Sequence, residues 1–416
     1  MTRNKQQLSF FRNHRVRRVI GAAAIAAGSG LAAFLIAGLS ATAWGDASGS
    51  IETGLQPTPY LVFAYNDLGM HCMQDDFSEL MILPPFNNLH AQVIKRDPNI
   101  VHSASDFSVE YSVPNHTHAV DKTNFWTHAE DLVGVPVPPN IGLTGNGLSG
   151  HMTVTANQDW EATGIPVTPI EDDGTVNPYP FADVIVRNQS GQIIARTQAV
   201  IPVSTELSCY LCHGSNTETP AHSILAAHDK LHATTLLSQT PVLCASCHAD
   251  VALGAPGTPG VSTFSSAMHS SHADRVGVLN LDNECYACHP GVRTKCHRDV
   301  HLANGMDCIS CHTSMEAVGD PMRRPWIDEP RCGDCHSRPG FEFEQPGKLF
   351  RESRGHGGVM CMTCHNSPHA LTPTVTETDN YQALVKQGHI GVINECTLCH
   401  TEQPDDPFPH RFFLDD

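Results

Sequence analysis

Seven segments of the chain repeat one arrangement of cysteine and histidine. In each segment two residues separate a pair of cysteines, and a histidine directly follows the second cysteine. In chain order, as motifs one to seven, the pairs are Cys209 and Cys212, Cys244 and Cys247, Cys285 and Cys288, Cys308 and Cys311, Cys332 and Cys335, Cys361 and Cys364, and Cys396 and Cys399. The histidines that complete them are His213, His248, His289, His312, His336, His365 and His400.

This spacing suits one chemistry. Two thiols one helical turn apart can add to the two vinyl groups of a porphyrin, and the adjacent histidine then lies under the iron as its proximal ligand. Cys-x-x-Cys-His is the attachment sequence of c-type haem. Zinc sites and redox disulfides also use Cys-x-x-Cys, but neither requires a histidine after every pair. The sequence therefore predicts seven covalently attached haems.

A haem iron that carries electrons takes a second strong axial ligand, His or Met. Residues 209–416 contain eleven histidines outside the motifs, more than the seven required. The predicted distal ligands are His228, His232, His269, His272, His356, His369 and His389. The alternatives are His222, His297, His301 and His410, and the less favoured methionines are Met268, Met306, Met315 and Met322.

Two of these pairs have helical spacing. His228 and His232 are four residues apart in a predicted helix over 224–237, and His269 and His272 are three apart. Residues at such spacings share one face of a helix. Each pair could therefore serve two neighbouring haems, or a member could hydrogen-bond a haem propionate instead.

Cys72 and Cys296 remain outside the motifs. Cys296 precedes His297, so an eighth haem held by one thioether bond is one alternative. Cys72 lies in Met70-His71-Cys72-Met73, a cluster of soft ligands that could bind copper. Either cysteine could also be an axial thiolate. The favoured interpretation is two buried free thiols or one disulfide, since leftover cysteines of exported proteins often pair.

The elements that position the motifs fall into two kinds. Successive motifs begin 35, 41, 23, 24, 29 and 35 residues apart, which leaves about 30 residues per haem and predicts short helices wrapped around porphyrins. Residues 57–205 have no motif and alternate short β-prone runs with Pro and Gly, which predicts a β-sandwich. The expected fold is α+β with little regular structure. His116 and His118 in the β-rich part could each donate a ligand to a haem.

The N-terminus predicts export. Six Lys or Arg within residues 3–18 precede an uncharged run over 19–39 and the site Ala41-Thr42-Ala43, as in a secretory signal peptide. An uncleaved membrane anchor is the alternative. Cleavage would take the formal charge from −18 to −24, which argues against nucleic-acid binding. We predict a signal segment at 1–43, a β-rich domain at 44–205 and a heptahaem domain at 206–416.

With its seven motifs in residues 209–400, the chain resembles the multihaem c-type cytochromes. This resemblance implies haems in close array, electron transport in the periplasm or at the cell surface, and in some members polymerisation into extracellular filaments. The stretch Asn66-Asp-Leu-Gly-Met-His-Cys72 before the motifs is similar to one in large exported cytochromes with a leading β-rich domain.

Three classes of function follow. The favoured one is an electron-transfer protein that works between redox partner proteins or passes electrons to a terminal extracellular acceptor, as a monomer, a homo-oligomer or a filament. The second is a reductase or oxidase of a small nitrogen or sulfur compound, although no Cys-x-x-Cys-Lys motif occurs. The third is a redox-linked binding module whose β-domain contacts a partner.

Overall fold

A computed structural model describes residues 58–97, 99–101, 105–341, 343–405 and 410. The predicted signal segment at 1–43 lies outside these residues. The strands are β1 (Tyr60–Tyr65), β2 (His71–Cys72), β3 (Leu80–Met81), β4 (Leu89–Lys95), β5 (Asn99–Val101), β6 (Phe107–Ser112), β7 (Ser149–His151), β8 (Thr153–Val154), β9 (Trp160–Ala162), β10 (Phe181–Asn188), β11 (Ile193–Val200), β12 (Val203–Ser204) and β13 (Val242–Leu243).

Two antiparallel sheets make up the N-terminal region. One has the order β1-β4-β9-β8, with β5 also paired to β4, and the other has the order β11-β10-β6-β7. Within β6 and β10 buried residues alternate with less buried ones, as in a strand that packs one face on a core. The buried side chains of both sheets form one cluster, which includes Val93, Val109, Trp160 and Val184.

The helices are short. They are α1 (Phe125–Val133), α2 (Pro220–His232), α3 (Phe264–His272), α4 (Val300–Ala303), α5 (Cys308–His312), α6 (Met315–Val318), α7 (Cys332–Cys335), α8 (Cys361–His365) and α9 (Tyr381–Gln387). The 3-10 turns are Cys209–Leu211, Leu236–Gln239, Cys244–Ser246, Val276–Leu279, Glu284–Ala287, Phe350–Glu352, His356–Gly358, Thr378–Asn380 and Cys396–Leu398.

The prediction of an α+β fold, with a β-rich N-terminal part followed by short helices, is confirmed. The helix predicted over 224–237 begins earlier, because the Thr219 side chain accepts a hydrogen bond from the His222 N–H and Pro220 fits the first helical turn. It ends at His232, where Ala233 adopts a left-handed conformation (φ 53°).

The two regions share contacts. The amide oxygen of Gln92 in β4 accepts hydrogen bonds from Met360 N and Thr363 Oγ1, both at 2.9 Å. The Gln382 side chain in α9 bonds both backbone groups of Ala64 in β1, at 2.9 and 3.0 Å. The predicted domain boundary at 205/206 falls just after β12 and stays a prediction.

The region after residue 206 buries few apolar side chains against one another. A small cluster joins Tyr65 to Met360 and Met362. Tyr210 and Val292 are 65% and 71% exposed, although side chains of this kind usually pack into a core. The described residues of this segment therefore do not form a conventional protein core. Within the described residues no helix has the length and apolarity needed to cross a membrane.

Candidate functional site

Each motif folds as one tight helical turn. The turns of motifs four, five and six are α5, α7 and α8, and the others are 3-10 turns. In motifs one, two, three, five and seven the backbone N–H of the histidine donates to the carbonyl oxygen of the first cysteine, at 2.8–3.1 Å. Residues three and four apart on such a turn share a face. The two thiols and the imidazole therefore project from one side of each turn.

Every motif histidine faces a second histidine. The pairs, for motifs one to seven, are His213–His272 (6.3 Å between ring centroids), His248–His228 (6.3 Å), His289–His269 (6.1 Å), His312–His369 (6.2 Å), His336–His301 (6.1 Å), His365–His410 (5.9 Å) and His400–His356 (6.1 Å).

These distances fit one metal ion between two imidazoles. A metal–nitrogen bond is about 2 Å long and the ring centre lies about 1 Å farther out, so two imidazoles on opposite sides of one ion have centroids about 6 Å apart. The described residues contain no group of three or more His, Cys, Asp or Glu that could hold a metal. Each of the seven sites therefore offers two imidazole nitrogens to one metal ion.

Hydrogen bonds orient many of the paired rings through Nδ1. The acceptors are Ser262 O for His248 (2.9 Å), Ser265 O for His269 (2.7 Å), Met268 O for His272 (2.7 Å), Thr234 Oγ1 for His228 (2.9 Å), Asp299 Oδ2 for His301 (3.3 Å) and Leu68 O for His369 (3.4 Å). A ring whose Nδ1 carries the proton presents the lone pair of Nε2. Metal-bound histidines in proteins are held in the same way.

Burial keeps several of these rings neutral. It lowers the pKa of His289, His312 and His365 to about 4, and in each case the paired ring adds to the effect. Burial also lowers the pKa of His213 and His369. A neutral imidazole is the form that binds a metal ion.

Five of the seven predicted distal histidines face a motif histidine: His228, His269, His272, His356 and His369. In the described part of the chain the other two do not. His232 packs on His228 at 4.8 Å, and His389 lies 3.7 Å from Glu395. The rings that face the two remaining motif histidines, His336 and His365, are those of His301 and His410, which the sequence analysis gave as alternatives.

Of the remaining alternatives, His222 lies 3.7 Å from Glu79. The ring centroid of His297 is 6.1 Å from that of His369. Its Nε2, however, is hydrogen-bonded to Asp299 Oδ1 at 2.9 Å, so this nitrogen does not point at a metal site between the two rings. His116 is buried, and burial lowers its pKa to about 4. His118 pairs with Asp121 and Asp172.

Motifs one, three and four adjoin. Burial raises the pKa of Cys288 to about 11, and nearby Cys209 and Cys212 of motif one add to the shift. The side chain of Asn283, just before motif three, donates to Cys308 Sγ at 3.7 Å, so motifs three and four are in contact. Interaction between the two thiols raises the pKa of Cys285 and lowers that of Cys308. Helix α3 links the same region, since it carries the partner rings of motifs one and three.

The later motifs follow in chain order. From motif four to motif six, one thiol of each motif has its pKa raised by a cysteine of the next motif, in addition to burial. Cys335 raises the pKa of Cys311, Cys361 raises that of Cys332, and Cys399 raises that of Cys364. The ring of Phe343 bridges motifs five and six, with its centroid 5.8 Å from His336 and 5.6 Å from His410. A cavity of about 680 Å³ opens beside motif five and is lined by His336 and Phe343. Its volume is in the range of cofactor sites.

Cys72 and Cys296 are free thiols. Burial, then the charge of Cys296 and of Glu206, raises the pKa of Cys72. Burial raises the pKa of Cys296 to about 11. His71 and Cys72 are consecutive in β2, so their side chains project to opposite faces and do not converge on one copper ion.

Comparison with known proteins supports the assignment of the C-terminal motifs. Residues 323–401, which contain motifs five to seven, match the family of cytochrome c7 and related cytochrome c, and this family implies covalently bound haem c. Among solved structures the chain is similar to MtrC from Shewanella baltica OS185, with 14% identity and a TM-score of 0.15, over 56% of this chain and 35% of that one. The chain thus spans about a third of MtrC. No curated protein matches it.

Proposed function

We propose that this protein is a heptahaem c-type cytochrome that carries electrons along seven haems, each ligated by two histidines. The observation that carries the proposal is the pairing of all seven motif histidines with a second imidazole at 5.9–6.3 Å. Haem iron, once bound, supplies a reversible one-electron change. The chain's residues supply the thioether anchors, the axial nitrogens and the spacing.

The contacts between motifs favour a continuous path. We infer the order one, three, four, five, six, seven from the neighbouring thiols, with motif two beside the start of α3, where Phe264 lies 6.3 Å from His248. The described residues after 206 bury few apolar side chains against one another, as expected if porphyrins fill the interior of this region. Adjacent porphyrins would pass electrons from one end of this order to the other.

The predicted export signal and the cytochrome family match favour the periplasm or cell surface, where the protein would exchange electrons with redox partners or an extracellular acceptor. Assembly into an oligomer or filament is a further proposal, prompted by the resemblance to multihaem cytochromes. The alternative of an enzyme acting on a small nitrogen or sulfur compound needs an open iron position. It is disfavoured because each motif histidine already has a facing ring.

The test is the mass and electron paramagnetic resonance (EPR) spectrum of the purified, oxidised protein. We expect a mass seven haems above that of the mature chain and a signal that integrates to fully low-spin iron. A double variant, Cys396→Ala with Cys399→Ala, should lose one haem, whereas Cys72→Ala should keep seven. An eighth haem would assign Cys296 and His297 to attachment. A stoichiometric high-spin haem would overturn the electron-carrier proposal in favour of the enzyme.

A further inference from the structure

Asp299 connects two histidines, His297 and His301, that lie between motifs three and four in the chain. Its Oδ1 accepts hydrogen bonds from His297 Nε2 at 2.9 Å and from the backbone N–H of His301 and Leu302 at 2.8 and 3.2 Å. Its Oδ2 accepts from His301 Nδ1 at 3.3 Å. The side chain is only 5% exposed. One oxygen therefore caps α4, and the other is committed to the ring that faces His336.

The acceptor at His301 is a carboxylate. At five other paired rings the oxygen that accepts from Nδ1 is a neutral carbonyl or hydroxyl: His228, His248, His269, His272 and His369. The neighbouring Arg298 does not neutralise Asp299, since its guanidinium pairs with Asp379 at 2.6 and 2.9 Å.

A carboxylate that accepts the Nδ1 proton of an axial imidazole makes the ring a stronger electron donor. Greater donation stabilises ferric over ferrous iron, and hydrogen bonding around the ligands is one means by which proteins set haem potentials. We propose that Asp299 is a positioning residue that lowers the reduction potential of the haem at motif five through His301. This rests on the proposed function, because it requires His301 and His336 to be the axial ligands of that haem.

The experiment is a potentiometric titration of the complete holoprotein, with EPR, for Asp299→Asn and Asp299→Ser. Asn and Ser both cap helices well, so α4 is retained while the charge is lost. We expect one of the seven one-electron components to move to higher potential, with the other six in place and all iron low-spin. The matched control is Asp328→Asn, which removes an exposed carboxylate paired with Arg324 and should move none.

The outcomes separate this proposal from the proposed function. His301→Met should change the spectrum and raise the potential of one haem, because thioether ligation raises potential. If His301→Met does so and both Asp299 variants leave all seven components unmoved, the ligand pairing stands and the role of Asp299 is overturned. The same role is overturned if the Asp299 variants turn one haem high-spin, since Asp299 would then only hold the ring in place. If His301→Met changes nothing, the axial pairing itself fails.

Discussion

The imidazole rings of His365 and His410 have centroids 5.9 Å apart, although His410 comes from the far C-terminal end of the described chain. Phe343 packs beside His410, at 5.6 Å. The ring that faces the motif six histidine therefore belongs to a residue that follows all seven motifs. In the proposed cytochrome this makes His410 the second axial ligand of the motif six haem.

This contact predicts that His410→Ala turns one haem of the seven high-spin, because the iron at motif six loses its second strong ligand. The matched control is His389→Ala, since His389 lies near Glu395 and faces no motif histidine in the described part of the chain. The number of high-spin haems in each variant is measured by EPR and by the high-spin absorption band. A high-spin haem in His389→Ala and none in His410→Ala would reverse the assignment.

Helix α2 offers a second matched pair. His228 faces His248 at 6.3 Å, whereas His232, one turn later, packs against His228. We expect His228→Ala to turn one haem high-spin and His232→Ala to leave all seven low-spin. Haem content per chain, determined alongside the EPR spectra, shows whether attachment survives in both. An unchanged spectrum for His228→Ala would remove it from the ligand set.

The two cysteines outside the motifs should titrate as free thiols. Cys72 and Cys296 are half-buried, and desolvation raises the pKa of both, so each is a poor nucleophile in the folded protein. We expect no reaction with a thiol reagent under native conditions and two thiols per chain after denaturation without reductant. Cys72→Ala should leave one. Finding none in the parent protein would indicate a disulfide instead.

The ionisation of Asp67 should make the free energy of unfolding depend on pH in the acid range. Burial opposes its ionisation, but hydrogen bonding to His71 and Asn88 lowers its pKa to about 2. The unfolded value is about 3.9. The ionised group therefore contributes about 2–3 kcal/mol to the free energy of unfolding above about pH 4, and this contribution is lost as pH falls through about 2.

Asp67→Asn should accordingly be less stable than the parent at pH 7 and should approach it near pH 2. Thermal unfolding followed by circular dichroism across this range measures the difference. Asp75→Asn, which changes an exposed carboxylate nearby, serves as the control and should track the parent. A constant gap between Asp67→Asn and the parent at all pH values would show that the carboxylate does not titrate with folding.

Much of the fold follows from local patterns. The short β-prone run Tyr60–Tyr65 forms β1, and the turn at Asn188–Gly191 joins β10 to β11 as an antiparallel hairpin. Strand and turn propensities act over a few residues, so these elements can be predicted from the sequence of a short segment alone. The early start of α2 at Pro220 depends on its cap at Thr219, a signal that the sequence contained.

The sequence by itself determined the seven Cys-x-x-Cys-His motifs and their local geometry, because both cysteines and the histidine of each lie within one helical turn. Only the tertiary structure decided which second histidine faces each motif. His213 of motif one faces His272, which follows motif two, and His312 faces His369, which follows motif six. Such pairs depend on how distant segments pack, and no local spacing distinguishes His410 from His389. The position of a motif in the chain therefore does not identify the histidine that faces it.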